Sequence, residues 1–85
     1  MDFLYFDLNY LKQNDIVEAI IEGTECNVIL LNSVNFSNYK NNREYHYYGG
    51  HCKQSPAVIT IPHYDHWYLV IDSGNVKVSV SVIEA

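Results

Sequence analysis

Basic residues are scarce in this chain. Five lysines and arginines stand against ten aspartates and glutamates, for a formal net charge of −5. That balance excludes general binding of polymeric DNA or RNA, which needs a broad basic face to neutralise phosphates. Long apolar runs are missing as well. Residues 1–8, Met1-Asp2-Phe3-Leu4-Tyr5-Phe6-Asp7-Leu8, hold no basic region and no small-residue cleavage site. Neither a signal peptide nor a membrane span is therefore expected, and the expected location is cytoplasmic. Cysteine is limited to Cys26 and Cys52; an oxidising compartment would allow them one disulfide, whereas the cytoplasm favours free thiols. Proline is limited to Pro56 and Pro62, both at strand ends where a missing N–H is tolerated. No stretch sustains a 3.6-residue apolar period for three turns, which excludes a helical bundle and leaves no room for βαβ crossovers.

What the chain has instead is alternation at period two. Residues 3–8 read as a first strand, and residues 9–13 as coil or a single helical turn. Residues 16–22, rich in Ile and Val, form a second strand closed by Gly23. Residues 26–31 form a third, whose unbroken apolar run implies burial on both sides. The polar, Asn-rich residues 33–42 read as a loop, because Asn and Ser favour turns over ladders. Residues 44–48 form a short aromatic strand expected to stop at Gly49-Gly50, where φ can turn positive. Residues 57–61 and 66–72 follow, the latter with Trp67 as a core plug whose indole N–H seeks a loop carbonyl. Ser73-Gly74-Asn75 reads as a tight hairpin turn organised by the Asp72 carboxylate. In the last strand, residues 76–83, Val76, Val78, Val80 and Val82 face inward while Lys77, Ser79 and Ser81 face out. The 85 residues make one domain, 1–85, able to bury only ~60–65% of its unfolded surface. So little reserve makes self-association through an exposed patch an expectation.

Charge is uneven along the chain. Between residues 33 and 63, Lys40, Arg43 and Lys53 stand against Glu44, a surplus of +2 that leaves −7 on the rest. The same stretch concentrates aromatic rings. Asn35, Phe36, Asn38, Tyr39, Lys40, Arg43, Tyr45, Tyr47, Tyr48, Gly49, Gly50, His51 and Lys53 form the candidate binding set. Rings beside cations and amides suit a planar anionic molecule or a nucleotide. Tyr45 and Tyr47 share one strand face, with His46 and Tyr48 on the other. Lys40, Arg43 and Lys53 are within reach of a phosphate, and the Gly49-Gly50 N–H groups can approach an anion. The bland alternative makes the tyrosines cross-strand packing pairs, each contributing ~0.2–1 kcal/mol, and the amides turn caps.

Other chemistries fit less well. His46, His51, Cys52, His63 and His66 lack the paired close spacings of a zinc site, so no metal is assigned. Cys52 beside His51 points to the opposite strand face, so His51 is poorly placed to activate the thiol, and only His46 or His66, oriented by Asp65, could do so from across a sheet. No nucleophile elbow or phosphate loop is present, and Glu44 is the single acid of the cationic stretch, so no catalytic residue and no cofactor are expected.

The words Ser33-Val34-Asn35-Phe36-Ser37-Asn38-Tyr39-Lys40, Tyr47-Tyr48-Gly49-Gly50-His51, Ser55-Pro56, Ile61-Pro62 and His66-Trp67-Tyr68-Leu69-Val70-Ile71-Asp72 occur here in one order. Followed by the valine-rich close, that string resembles the small bacterial domain of unknown function 1883 over residues 15–83. The chain departs from that pattern in a shorter turn after Asp72 and in Cys52, where an aromatic or apolar residue is more usual. The resemblance implies a compact β-sandwich without a known catalytic site. It also implies occurrence alone or joined to Toll/interleukin-receptor-type domains, which process NAD and produce nucleotide signals in bacterial immunity; a freestanding copy would be a regulator or a viral decoy.

Together these readings give an all-β, jelly-roll-like antiparallel β-sandwich of about six to eight short strands. Its expected role is a non-catalytic binding or sensory module for a nucleotide-derived or other anionic small molecule. The alternative is a protein-interaction or self-assembly domain with no small-molecule ligand.

Overall fold

The computed structural model describes residues 3–72 and 75–85. Among these residues, seven strands and one helix follow in the order β1 (Phe3–Leu11), β2 (Ile16–Gly23), β3 (Cys26–Asn32), α1 (Ser33–Lys40), β4 (Tyr48–Cys52), β5 (Ala57–Thr60), β6 (Asp65–Asp72) and β7 (Val76–Ile83). They build a four-stranded sheet, β1-β6-β3-β4, and a three-stranded sheet, β5-β2-β7. Every strand pairing is antiparallel. In jelly-roll fashion the chain crosses between sheets at each connection except the one from β3 to β4.

Alternation explains which residues lie between the sheets. Val17 and Ala19 of β2 face Cys26, Val28 and Leu30 of β3 and Trp67, Leu69 and Ile71 of β6, with Val76, Val78 and Val80 of β7 packed against them. Burying each of the larger aliphatic side chains stabilises the fold by about 1.5–3 kcal/mol. Trp67 is 1% exposed, and its indole N–H donates to the His63 carbonyl at 3.1 Å, the plug role its position suggested. Asp15 is the one buried charge among the described residues. Its carboxylate accepts from the N–H groups of Ala85 and Lys12, each at 2.9 Å. Those two bonds, with the Lys12 ammonium, hold it below the usual carboxylate range.

The second core lies on the other face of the four-stranded sheet. Ile29 and Leu31 of β3 and Val70 of β6 are buried there beneath Phe36 and Tyr39, so β3 is covered on both sides as its apolar run implied. The cover is α1, formed by residues read from sequence as a loop. The asparagines that suggested a loop act as caps. The Asn32 side chain accepts from the Asn35 N–H at 3.0 Å, an N-cap. At the other end Asn42, with φ of 56°, lets the Arg43 N–H reach the Asn38 carbonyl at 2.9 Å and the Asn42 N–H reach Tyr39 at 3.4 Å. That is a Schellman closure with Asn in the left-handed position. Phe36 and Tyr39, three residues apart, fall on one helical face and point at the sheet.

Two strand boundaries also differ from the sequence reading. β1 runs on to Leu11, so residues 9–13 contain no helical turn; its ladder with β6 slips between Asp7 and Tyr10, and Asn9 has φ of 60°. This bulge turns Tyr10 outward although its parity with Phe6 and Leu8 says inward. β4 begins at Tyr48 and passes through Gly49 and Gly50, which pair with Ile29 and Val28. The double glycine is therefore strand, not a stop. Gly49 has φ of 101°, and a Cβ there would run into the Val28 carbonyl, so only glycine fits this close approach. Of the expected hairpin turn after Asp72, Ser73 and Gly74 lie outside the described residues.

Candidate functional site

The helical members of the sequence-derived set are largely occupied with structure. Phe36 stacks on Tyr68 at 4.1 Å between centroids. The buried Tyr39 hydroxyl donates to the Asp72 carboxylate at 2.6 Å, and burial together with that carboxylate pushes its phenol above the ordinary range. The Asn35 side chain donates to Asn32 at 2.8 Å and accepts from the His46 N–H at 2.9 Å, which pins the segment after the helix to its first turn. Asn38 accepts from the Arg43 guanidinium at 3.0 Å. The Lys40 ammonium sits 4.7 Å from the Phe36 ring centre, a cation–π contact.

Four other members do converge. Tyr45, Tyr47, Gly50 and His51 line an open groove of about 310 Å³ on the outer face of the four-stranded sheet, where α1 leaves it uncovered. The remaining walls are Asn27 and Ile29 of β3 and Asp72 at the end of β6. β4 pairs His51 with Asn27, and β6 pairs Asp72 with Asn27 from the other side, so the three polar side chains form one row across neighbouring strands. Tyr45 packs edge-on against Tyr39 at 5.1 Å and leans on Tyr47 at 5.8 Å, which leaves Tyr47 half-exposed at the rim. His51 Nε2 lies 3.0 Å from Glu25. Gly50 has open space where a side chain would begin. The groove thus combines phenol rings, an apolar floor and a carboxylate. Lys40, Arg43 and Lys53 do not line it, and Tyr48 turns to the opposite face, edge-on to Trp67 at 6.0 Å.

A second group escaped the sequence reading. Tyr10 and Tyr64 are 62% and 67% exposed and stack at 5.6 Å. His66 lies beside Tyr10 at 5.0 Å and stacks on Tyr68 at 4.8 Å. Its Nε2 meets the Asp7 carboxylate at 2.6 Å. The Asn9 N–H and His66 hold Asp7 below the ordinary carboxylate range. The bulge in β1 creates this cluster, and the isolated Asn at position 9 was its only signal in the sequence. Asp65 is pushed up by burial, but bonds from the His66 N–H, Asn32 and His63 outweigh this and lower it.

Among the described residues, no three of His, Cys, Asp and Glu gather as a metal ion would require, and no helix is long and apolar enough to cross a membrane. No curated protein and no solved structure matches the chain. The family model described as "Domain of unknown function (DUF1883)" matches residues 1–85, the whole sequence, and the chain belongs to that family.

Proposed function

We propose that this protein is a non-catalytic binding module whose outer-face groove takes a nucleotide-derived small molecule by its base and ribose portion. The observation that carries the reading is the meeting of Tyr45, Tyr47, His51, Asn27 and Asp72 around one concavity beside a rigid sheet. A base stacked on an exposed tyrosine gains ~1–3 kcal/mol. The Asp72 carboxylate and the Asn27 amide supply acceptors for ribose hydroxyls or an exocyclic amine. With a carboxylate in its wall, the groove suits the donor-rich part of such a ligand, while charged phosphates project toward solvent. In the setting the resemblance suggests, such a module would sense a nucleotide signal in bacterial immunity or, as a viral decoy, sequester it.

The test is titration calorimetry with adenosine, ADP-ribose and a cyclic dinucleotide, with amide shifts of Asn27, Tyr47 and His51 followed in parallel. Binding should weaken about 5- to 150-fold in Tyr47→Ala, the equivalent of ~1–3 kcal/mol. If none of the three ligands moves those amides, the groove is not a nucleotide site. A second reading, self-assembly, has its own support. β1 is the outermost strand of its sheet and carries exposed Leu4, Tyr5 and Tyr10, a surface on which a second copy could pair. Sedimentation across a concentration series distinguishes it: a concentration-dependent dimer abolished by Tyr5→Glu favours assembly.

A further inference from the structure

Cys26 and Cys52 are direct cross-strand partners in the ladder joining β3 to β4. Both are free thiols, Cys26 buried and Cys52 half-buried, and Cys52 packs against the inner core to which Cys26 belongs. The side chains therefore emerge on the same face of neighbouring strands. Opposed residues of an antiparallel pair have Cα atoms ~4.5–5.5 Å apart, inside the ~4.4–6.8 Å range that disulfides span. The two differ in access. A small cleft of about 100 Å³ bounded by Thr24, Glu25, Lys53, Gln54 and Ser55 opens onto Cys52, whereas Cys26 is 1% exposed. The Cys52 thiol now donates to the Gln54 carbonyl at 2.8 Å, so turning from that carbonyl toward Cys26 is the motion that bonding requires. Burial first, and the nearness of Cys52 second, raise the Cys26 thiol above the ordinary range, consistent with Cys26 reacting second.

We infer that these residues form a thiol-pair modification site, oxidised reversibly to a disulfide by hydrogen peroxide entering at Cys52. The Cys52 thiolate attacks one peroxide oxygen; the O–O bond breaks, the sulfur becomes a sulfenic acid, and the released hydroxide takes the thiol's proton to leave as water. The Cys26 sulfur then attacks the sulfenic sulfur and gives up its proton. The S–S bond forms, the S–O bond breaks and a second water departs. Two electrons have passed from the two thiols to the peroxide, and a dithiol reductant returns them. The bond would tie β4, the last strand of its sheet, covalently to β3. This inference is independent of the groove's ligand.

The test uses the native, fully reduced chain exposed to stoichiometric peroxide at neutral pH. Intact mass should fall by two hydrogens, peptide mapping should join Cys26 to Cys52, and dithiothreitol should reverse both. The oxidised form should show a higher unfolding midpoint and slower amide exchange in β4. Cys26→Ser should stop at a Cys52 sulfenic acid trapped by dimedone, and Cys52→Ser should leave Cys26 unreacted. Because either replacement can disturb packing, wild-type protein serves as its own control. A native chain that gains oxygen at Cys52 without closing the bond, or closes it only after unfolding in denaturant, overturns the inference, as does linkage only between separate molecules.

Discussion

The two faces of the four-stranded sheet are built from different materials. The face turned toward the second sheet is aliphatic, with Leu30 and Leu69 at 0% exposure and a single tryptophan filling the centre. The opposite face is aromatic and polar and only partly roofed, by an eight-residue helix resting on Phe36 and Tyr39. The first arrangement is covered by the opposite sheet, and most of its side chains are buried. The second leaves rings, an imidazole and a carboxylate at a solvent boundary, where the same groups that hold the helix can also meet a ligand. Stability belongs mainly to one side, and the proposed recognition to the other, a division expected when loops and short covers sit on a rigid scaffold.

Substitutions can break that contrast or sharpen it. Trp67→Ala should cost most, ~3–5 kcal/mol, because the closed inner face cannot collapse around the void; chemical denaturation measures it, and a cost under that of any outer-face change would erase the distinction. Phe36→Ala comes next, at about 2–3 kcal/mol, since its stacking on Tyr68 is lost but solvent can fill the gap. Far-UV circular dichroism should then show the helical contribution fall while the strands persist. Tyr39→Phe removes one bond to a carboxylate and should cost about 1.5 kcal/mol at neutral pH. Its pH dependence is the sharper readout. A phenol pushed above its ordinary value in the folded state contributes stability below pH ~10, and that contribution is lost as pH climbs from there toward the folded value. Wild type should therefore lose stability more steeply than Tyr39→Phe in that alkaline range. Tyr47→Ala should be the mildest, within about 0.5 kcal/mol of wild type, because its ring stands exposed at the rim and touches only Tyr45 among the described aromatic rings.

The same contrast explains how much of the molecule could be read from residues alone. The inner face obeys simple alternation, so β2, β3, β6 and β7 and the Trp67 plug follow directly from spacing. The outer face depends on exceptions. α1 offers only Phe36 and Tyr39 as a buried stripe, too short a period to separate from noise, and its asparagines resemble a loop until Asn32 and Asn42 are seen as caps. β4 hides behind two glycines, ordinarily strand breakers, of which Gly49 is required by the close approach to Val28. The groove mixes legible members, Tyr45, Tyr47, Gly50 and His51, with Asn27, Ile29 and Asp72 from two other strands, and only strand order joins them. Lys40 and Arg43 looked like anion ligands because linear proximity cannot tell a free cation from one lying over a ring or clasped by an amide.

The slip at Asn9 in β1 gives that strand two reading frames. Before it, odd positions look outward; after it, even ones do, so Tyr10 faces out and Leu11 in because the ladder absorbs one extra residue as a bulge. The absorption of that residue, rather than the identity of any side chain, decides which ring the molecule shows to its surroundings. Straightening the strand without shortening it would exchange a phenol for a leucine on the visible side, whereas deleting Asn9 would leave both where they are.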